Sequence, residues 1–150
     1  MALNILIRLK ASNEEKDAIT AIVSDHMKPG QSQDMNKSTL RRIVALPHFE
    51  KLMAVAEADC ESSVPADKDK EDGKMLGIIH LRKFALEMGE IKILPEPIIT
   101  GRHLIDFGLK PGPKFKEILR TLMDKQLEGE LTDVDSGIML VKEMMEEVND

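Results

Sequence analysis

Apolar residues recur along this chain at helical spacing, and polar or Pro/Gly stretches cut the pattern into short helices. Leu3, Leu6 and Ile7 share a face with Lys10, which reads as the tail of an element begun earlier and points to a piece of a longer protein. Ser12 and Glu15 form a capping-box pattern, and Ala18, Ile19, Ile22, Val23 and Met27 form the stripe of the helix that follows. Lys28-Pro29-Gly30 ends it, and residues 31–36 read as loop. Ser38 is placed to cap a short helix carrying Leu40, Ile43, Val44 and Leu46. Pro47 breaks that helix or opens the next, which carries Phe49, Leu52, Met53, Val55, Ala56 and Cys60.

Residues 62–74 read as a charged surface loop, followed by a helix from about Lys74 to Met88 with Leu76, Ile79, Phe84 and Leu86 among its apolar positions. The segment IKILPEPII is extended, because Pro95 and Pro97 disfavour helix before them. Thr100 caps a short helix ending at Gly108, and Pro113 suits the first position of a long one. That long helix carries Phe115, Ile118, Leu119, Leu122, Met123 and Leu127, and Gly129 ends it. Thr132 caps the last, with Asp135 at its third position and Ile138, Val141, Met145 and Val148 as its stripe. The pattern predicts an all-α fold, a small bundle of about six or seven helices with an extended Pro-containing connector. It divides into a helical body-like segment, 1–90, and a C-terminal helical tail segment with the Pro-Gly-Pro turn, 91–150.

Composition agrees with helices. The 150 residues include ten Met and four Phe but no Trp or Tyr, so Leu, Ile and Met must build the core. One cysteine excludes an internal disulfide framework and any multi-Cys zinc site, and Cys60 on its apolar stripe reads as a buried thiol. No apolar run reaches the ~20 residues of a membrane span, and the start lacks the layout of a secretory signal. The compartment expected is the cytoplasm.

Charge changes the picture more. The formal net charge is -6, which as a whole repels nucleic acid. Yet between Thr100 and Lys125 the cations Arg102, Lys110, Lys114, Lys116, Arg120 and Lys125 face only Asp106, Glu117 and Asp124. After Lys125, Lys142 stands alone against a run of Asp and Glu. A solvated helical face explains such a block as readily as a binding site does. The turn sharpens the second reading. Gly112 opens a helix whose first amides have no intrahelical partner, Lys110, Lys114 and Lys116 flank that end, and glycine lets a phosphate approach the backbone.

Catalytic patterns are missing. Asp67-Lys68-Asp69 lies in a charged stretch, and Asp133-Val134-Asp135 opens a helix, where acids serve capping rather than metal sharing. The histidines 26, 48, 80 and 103 have no metal-ligand spacing, and no nucleophile elbow or P-loop occurs. The residues give no catalytic group and no metal ligand.

Residues 100–132, TGRHLIDFGLKPGPKFKEILRTLMDKQLEGELT, resemble the C-terminal region of the superfamily of tRNA nucleotidyltransferases (CCA-adding enzymes) and bacterial poly(A) polymerases. The matching positions are Gly101, Leu104, Ile105, Gly108, Leu109, Pro111, Gly112, Pro113, Gln126, Leu127, Gly129 and Glu130. SNEEKDAITAIVSDHMKP and STLRRIVALPHFEKLMAVAEADCESS resemble, more weakly, the region past the metal motif in members with a central HD-type domain. Two positions depart: the family's Asp after Gly-x is His103, which brings no anion to a capping box with Thr100, and its small residue after Pro-Gly-Pro-x-x is Lys116.

The resemblance implies a non-catalytic, RNA-binding C-terminal part of such an enzyme, with tRNA or another RNA as partner. The nucleotidyltransferase head, with its phosphate turn and strand-borne Asp-x-Asp, has no counterpart in these residues. Magnesium and ATP or CTP are implied for the parent enzyme and no cofactor for this chain. Arg102, Lys110, Gly112, Lys114, Lys116 and Arg120 are the expected phosphate contacts. The competing reading is a stand-alone helical interaction module that has lost RNA binding, which the acidic total charge favours. A fragment with an exposed apolar face can also form a homodimer.

Overall fold

The computed structural model describes residues 2–62, 68–89 and 94–146. Among them are α1 (Ala2–Arg8), α2 (Asn13–Asp25), a 3-10 helix (Pro29–Asp34), α3 (Lys37–Val44), α4 (Phe49–Ser62), α5 (Lys68–Glu87), α6 (Gly101–Asp106), α7 (Pro113–Glu128) and α8 (Val134–Glu146). The fold is all-α, as the pattern predicts. The count exceeds six or seven because α1 is a separate helix and the stretch read as loop at 31–36 winds into a 3-10 turn. The chain forms two compact units: residues 1–35 with 42–92, and residues 36–41 with 93–150.

In the first unit α1 turns into α2 through Lys10, whose positive φ of 57° closes the helix end where glycine is usual. Ser12 caps α2 as expected. Its hydroxyl accepts from the Glu15 amide at 3.2 Å, and the Glu15 carboxylate accepts from the Ser12 amide at 2.8 Å. The Ser12 backbone amide is the main cause that holds the Glu15 carboxyl below its ordinary pKa, and the Ser12 side chain adds to it. α4 buries Phe49, Leu52, Met53, Ala56 and Cys60, while Val55 faces out.

The 3-10 helix packs on α5 at very short range. A Cβ on Gly77 would collide with the Gly30 carbonyl. Ser32, fully buried, donates its hydroxyl to the Gly77 carbonyl at 2.6 Å and lies 3.0 Å from His80 Nδ1. This approach sets the inward face of α5 to Ile78, Leu81 and Ala85, while Leu76, Ile79 and Leu86, three of the apolar positions read along the helix, are exposed. α5 also begins at Lys68, inside the stretch read as a charged loop. Lys and Glu are good helix formers, and α5 is held downstream by packing, so the helix extends into them. Residues 63–67 of that stretch, including Asp67, lie outside the described residues. Arg82 forks onto Glu57 of α4, with Nε to Oε1 and Nη2 to Oε2 at 3.0 Å, and reaches Glu50 at 3.5 Å.

The core of the second unit is Ile99, Leu104, Ile118, Leu122, Leu131 and Val141, with Phe115, Leu119 and Ile138 packed against it. Of the expected extended connector, residues 94–97 carry no helix or strand. Gln126 ties the connector to α7: its Oε1 accepts from the Ile98 amide at 2.9 Å and its Nε2 donates to the Glu96 carbonyl at 2.8 Å. Two caps differ from expectation. α3 is capped by Asn36, whose side chain accepts from the Thr39 amide at 3.0 Å, and Ser38 is buried within the first turn. α8 is capped by Asp133, which accepts from the Ser136 amide at 2.8 Å, with Thr132 donating to Asp133 from outside. In each case the cap is the residue immediately before the first helical one, whose side chain reaches the free amide three residues on.

Two outcomes test this packing. Gly77→Ala is expected to cost about 2–3 kcal/mol by overpacking, which lowers Tm by roughly 5–10 °C in a thermal melt. Gly73→Ala, on the same helix with no atom within 4 Å of the new Cβ, should instead raise stability by about 0.5–1 kcal/mol. Glu57→Gln should cost about 0.5–1 kcal/mol at neutral pH. The hydrogen bond from Arg82 holds the Glu57 carboxyl below its ordinary value of 4.5, so this contribution is complete above that pH and is lost as pH falls through the lower folded value. The Tm gap between wild type and Glu57→Gln should be flat from roughly pH 6 to 8 and close below about pH 4.

Candidate nucleic-acid interface

The turn between α6 and α7 is built by its glycines. α6 ends at Gly108, whose φ of +85° lets the chain reverse, and the Gly108 and Leu109 amides bond back to Ile105 and Leu104 at 2.8 and 3.0 Å. Leu109 then packs on the core. Gly112 is fully extended and Pro113 takes the first position of α7, so that helix starts without a side-chain cap. The Lys116 amide bonds to the Gly112 carbonyl at 3.2 Å, and the amides of Lys114 and Phe115 meet no partner among the described residues. Three exposed lysines, Lys110, Lys114 and Lys116, stand at or beside this end.

Phe115, Ile118, Leu119 and Leu122 turn one side of α7 into the core. Lys116 and Arg120, four residues apart, share an exposed side. α6 meets the first turn of α7 closely: a Cβ on Gly101 would stand 3.3 Å from the Phe115 ring. Arg102, exposed, is the next residue. Arg102, Lys110, Lys114, Lys116 and Arg120 form no ion pair among the described residues, whereas Lys125 at the end of the block bridges Glu130 at 2.8 Å. That carboxylate also raises the Lys125 pKa, chiefly through the hydrogen bond.

His103 corrects an expectation. Its Nδ1 accepts from the Thr100 amide at 3.0 Å, so an imidazole nitrogen serves the helix start where the family's carboxylate would. The α8 acids belong to a helix start: Asp133 is the cap, and the Ser136 amide holds its carboxyl below the ordinary value. Among the described residues no three His, Cys, Asp or Glu side chains gather as a metal set.

The Ser32–His80 pair looks like a nucleophile and base only by distance. Ser32 is inaccessible, and its proton is directed to the Gly77 carbonyl. Cys60, His26, Asp59 and Lys74 line a cavity of about 20 Å³, room for one water and no substrate. No helix among the described residues is long and apolar enough to cross a membrane.

The structure also shows what the sequence order conceals. Lys37 and Arg41 belong to the same compact unit as the basic block, though some sixty residues precede it. Their signal in the sequence was an i, i+4 cation pair on a helix without an acid.

The family described as "tRNA nucleotidyltransferase domain 2 putative" matches residues 1–141. The A-adding tRNA nucleotidyltransferase of Deinococcus radiodurans is 27% identical over 146 residues, covering 95% of this chain and 33% of the relative. The chain thus spans about a third of the length of the curated relative it matches. No solved structure matches it. Since the family match runs through nearly all of α1 to α8 and includes the glycine-built turn, the chain belongs to the tRNA nucleotidyltransferase domain 2 family.

Proposed function

We propose that the chain is the non-catalytic, RNA-binding C-terminal part of a tRNA nucleotidyltransferase and that it grips the phosphate backbone of tRNA. The observation that carries this reading is the uncapped start of α7, with two open amides, surrounded by exposed cations that no carboxylate neutralises among the described residues. Open amides, the helix dipole and mobile lysines all favour a phosphate there. Gly112 contributes by carrying no side chain over the amides. Arg102, Lys110, Lys114, Lys116 and Arg120 supply charge, and such contacts position an RNA without reading its sequence.

Nucleotide addition belongs to the part of the enzyme that these residues lack, where magnesium and ATP or CTP would act. The relative's name favours A as the nucleotide added. Such a domain works in the cytoplasm, where tRNA is processed. A second reading, a protein-interaction module or homodimer, is favoured by α1, which buries only Leu6 and exposes Leu3, Ile5 and Ile7.

Incubated alone with tRNA lacking its CCA end, labelled ATP or CTP and magnesium, the chain should incorporate nothing above a no-protein control. The RNA surface has a sharper test. Replacing Lys110, Lys114 and Lys116 with Glu should weaken tRNA binding and flatten the salt dependence by roughly one unit of log–log slope per lost contact. The helices should survive, because these side chains lie off the buried side of α7. A folded triple variant with unchanged affinity and slope would favour the interaction module instead.

A further inference from the structure

Two cations outside the basic block share its compact unit. Lys37 and Arg41 lie four residues apart on α3, so they stand on one side of that helix. Residues 36–41 group with residues 93–150. The helix is locked on both flanks of these cations: Ser38 and Leu40 are 1% and 3% exposed, and the Ser38 hydroxyl donates to the Asn36 side chain at 3.1 Å. The helix cannot roll to bury its cations without exposing these residues.

α3 contains no acidic residue, and neither Lys37 nor Arg41 meets a carboxylate among the described residues. Lys28, Arg82, Lys83 and Lys125 all do. Arg41 adds an independent observation. Its Nε is covered by the protein and has no hydrogen-bond partner among the described residues. A buried donor left unpaired destabilises the fold, and an apolar side chain would not incur that loss. The partial burial holds the guanidinium by its stem, with no carboxylate at its terminal nitrogens. An anion with several oxygens, approaching those terminal nitrogens, is the partner such a group fits, and Lys37 adds a point charge one turn away.

We propose that the first half of α3 is a further phosphate-contacting surface of this unit, with Lys37 and Arg41 holding the RNA backbone in addition to the Lys110–Lys116 turn. The proposal rests on the RNA-binding reading above. It assigns the partner as a sugar–phosphate chain long enough to meet both cation groups. Neither side chain is assigned a base to read, so the contacts should be insensitive to sequence and sensitive to salt.

The test uses the full chain and a tRNA transcript lacking its 3′ CCA, with affinity measured by fluorescence anisotropy across roughly 50–200 mM salt. Lys37→Glu alters an exposed residue and should leave the helices intact by circular dichroism. It should weaken binding about threefold to tenfold and flatten the slope by about one unit. Arg41→Gln should do the same, and Arg41→Lys, which keeps the charge, should recover most of the affinity. Wild-type affinity and slope in both Lys37→Glu and Arg41→Gln, while the triple lysine variant loses both, would remove α3 from the RNA surface and leave the main reading standing. A wild-type chain that does not bind the transcript at any of these salt concentrations would overturn both.

Discussion

The carbonyl of Gly30 rests on Gly77 where any side chain would collide, and the first unit is organised around that contact. Because Gly77 must face the 3-10 helix, the rotation of α5 is set by its smallest residue and not by its largest. Ile78, Leu81 and Ala85 then turn inward, and Leu76 and Ile79 are left in solvent. Ser32 fixes the same register along the helix axis, since its hydroxyl reaches the Gly77 carbonyl. With rotation and translation both set, Arg82 can meet Glu57 and Glu50 of α4 at once. A hydrophobic-stripe argument alone would place α5 differently.

The second unit solves another problem, that of holding an extended segment with few donors. Pro95 and Pro97 have no amide hydrogen to offer. Gln126 answers with one side chain that both accepts and donates, taking the Ile98 amide and the Glu96 carbonyl. The residues after it complete the α7 terminus: Leu127 enters the core, Gly129 adopts φ +87°, and Glu130 bridges back to Lys125. The run Gln-Leu-x-Gly-Glu therefore has a structural reading residue by residue. It holds the connector and ends the helix.

What was legible in the sequence follows from range. The all-α class, the Ser12–Glu15 capping box, the α4 stripe and the stops at Gly108 and Gly129 depend on neighbours a few residues away, and each was readable. The inward face of α5 was not, because Gly77 answers to Gly30, 47 positions earlier. The caps at Asn36 and Asp133 went to neighbours of the expected residues, since Ser38 and Thr132 look equally suitable in one dimension. The role of His103 is hidden in the sequence because a capping box needs an acceptor and not a carboxylate as such, and its Nδ1 supplies one. At the candidate site, the glycine turn and its lysines were visible as a local motif. Membership of Lys37 and Arg41 in the same unit required the fold.

The extended Gly112 ahead of Pro113 leaves α7 without the side-chain oxygen that most helix starts use. On the phosphate-contact reading proposed above, stability and occupancy compete at this residue. Asp or Ser at 112 would satisfy an open amide from within the chain and firm up the helix, yet an Asp carboxylate would also be a permanent resident anion, repelling any phosphate. Selection for thermal robustness and selection for an open anion seat pull position 112 in opposite directions. A glycine there would leave the helix cap to be completed by an arriving anion.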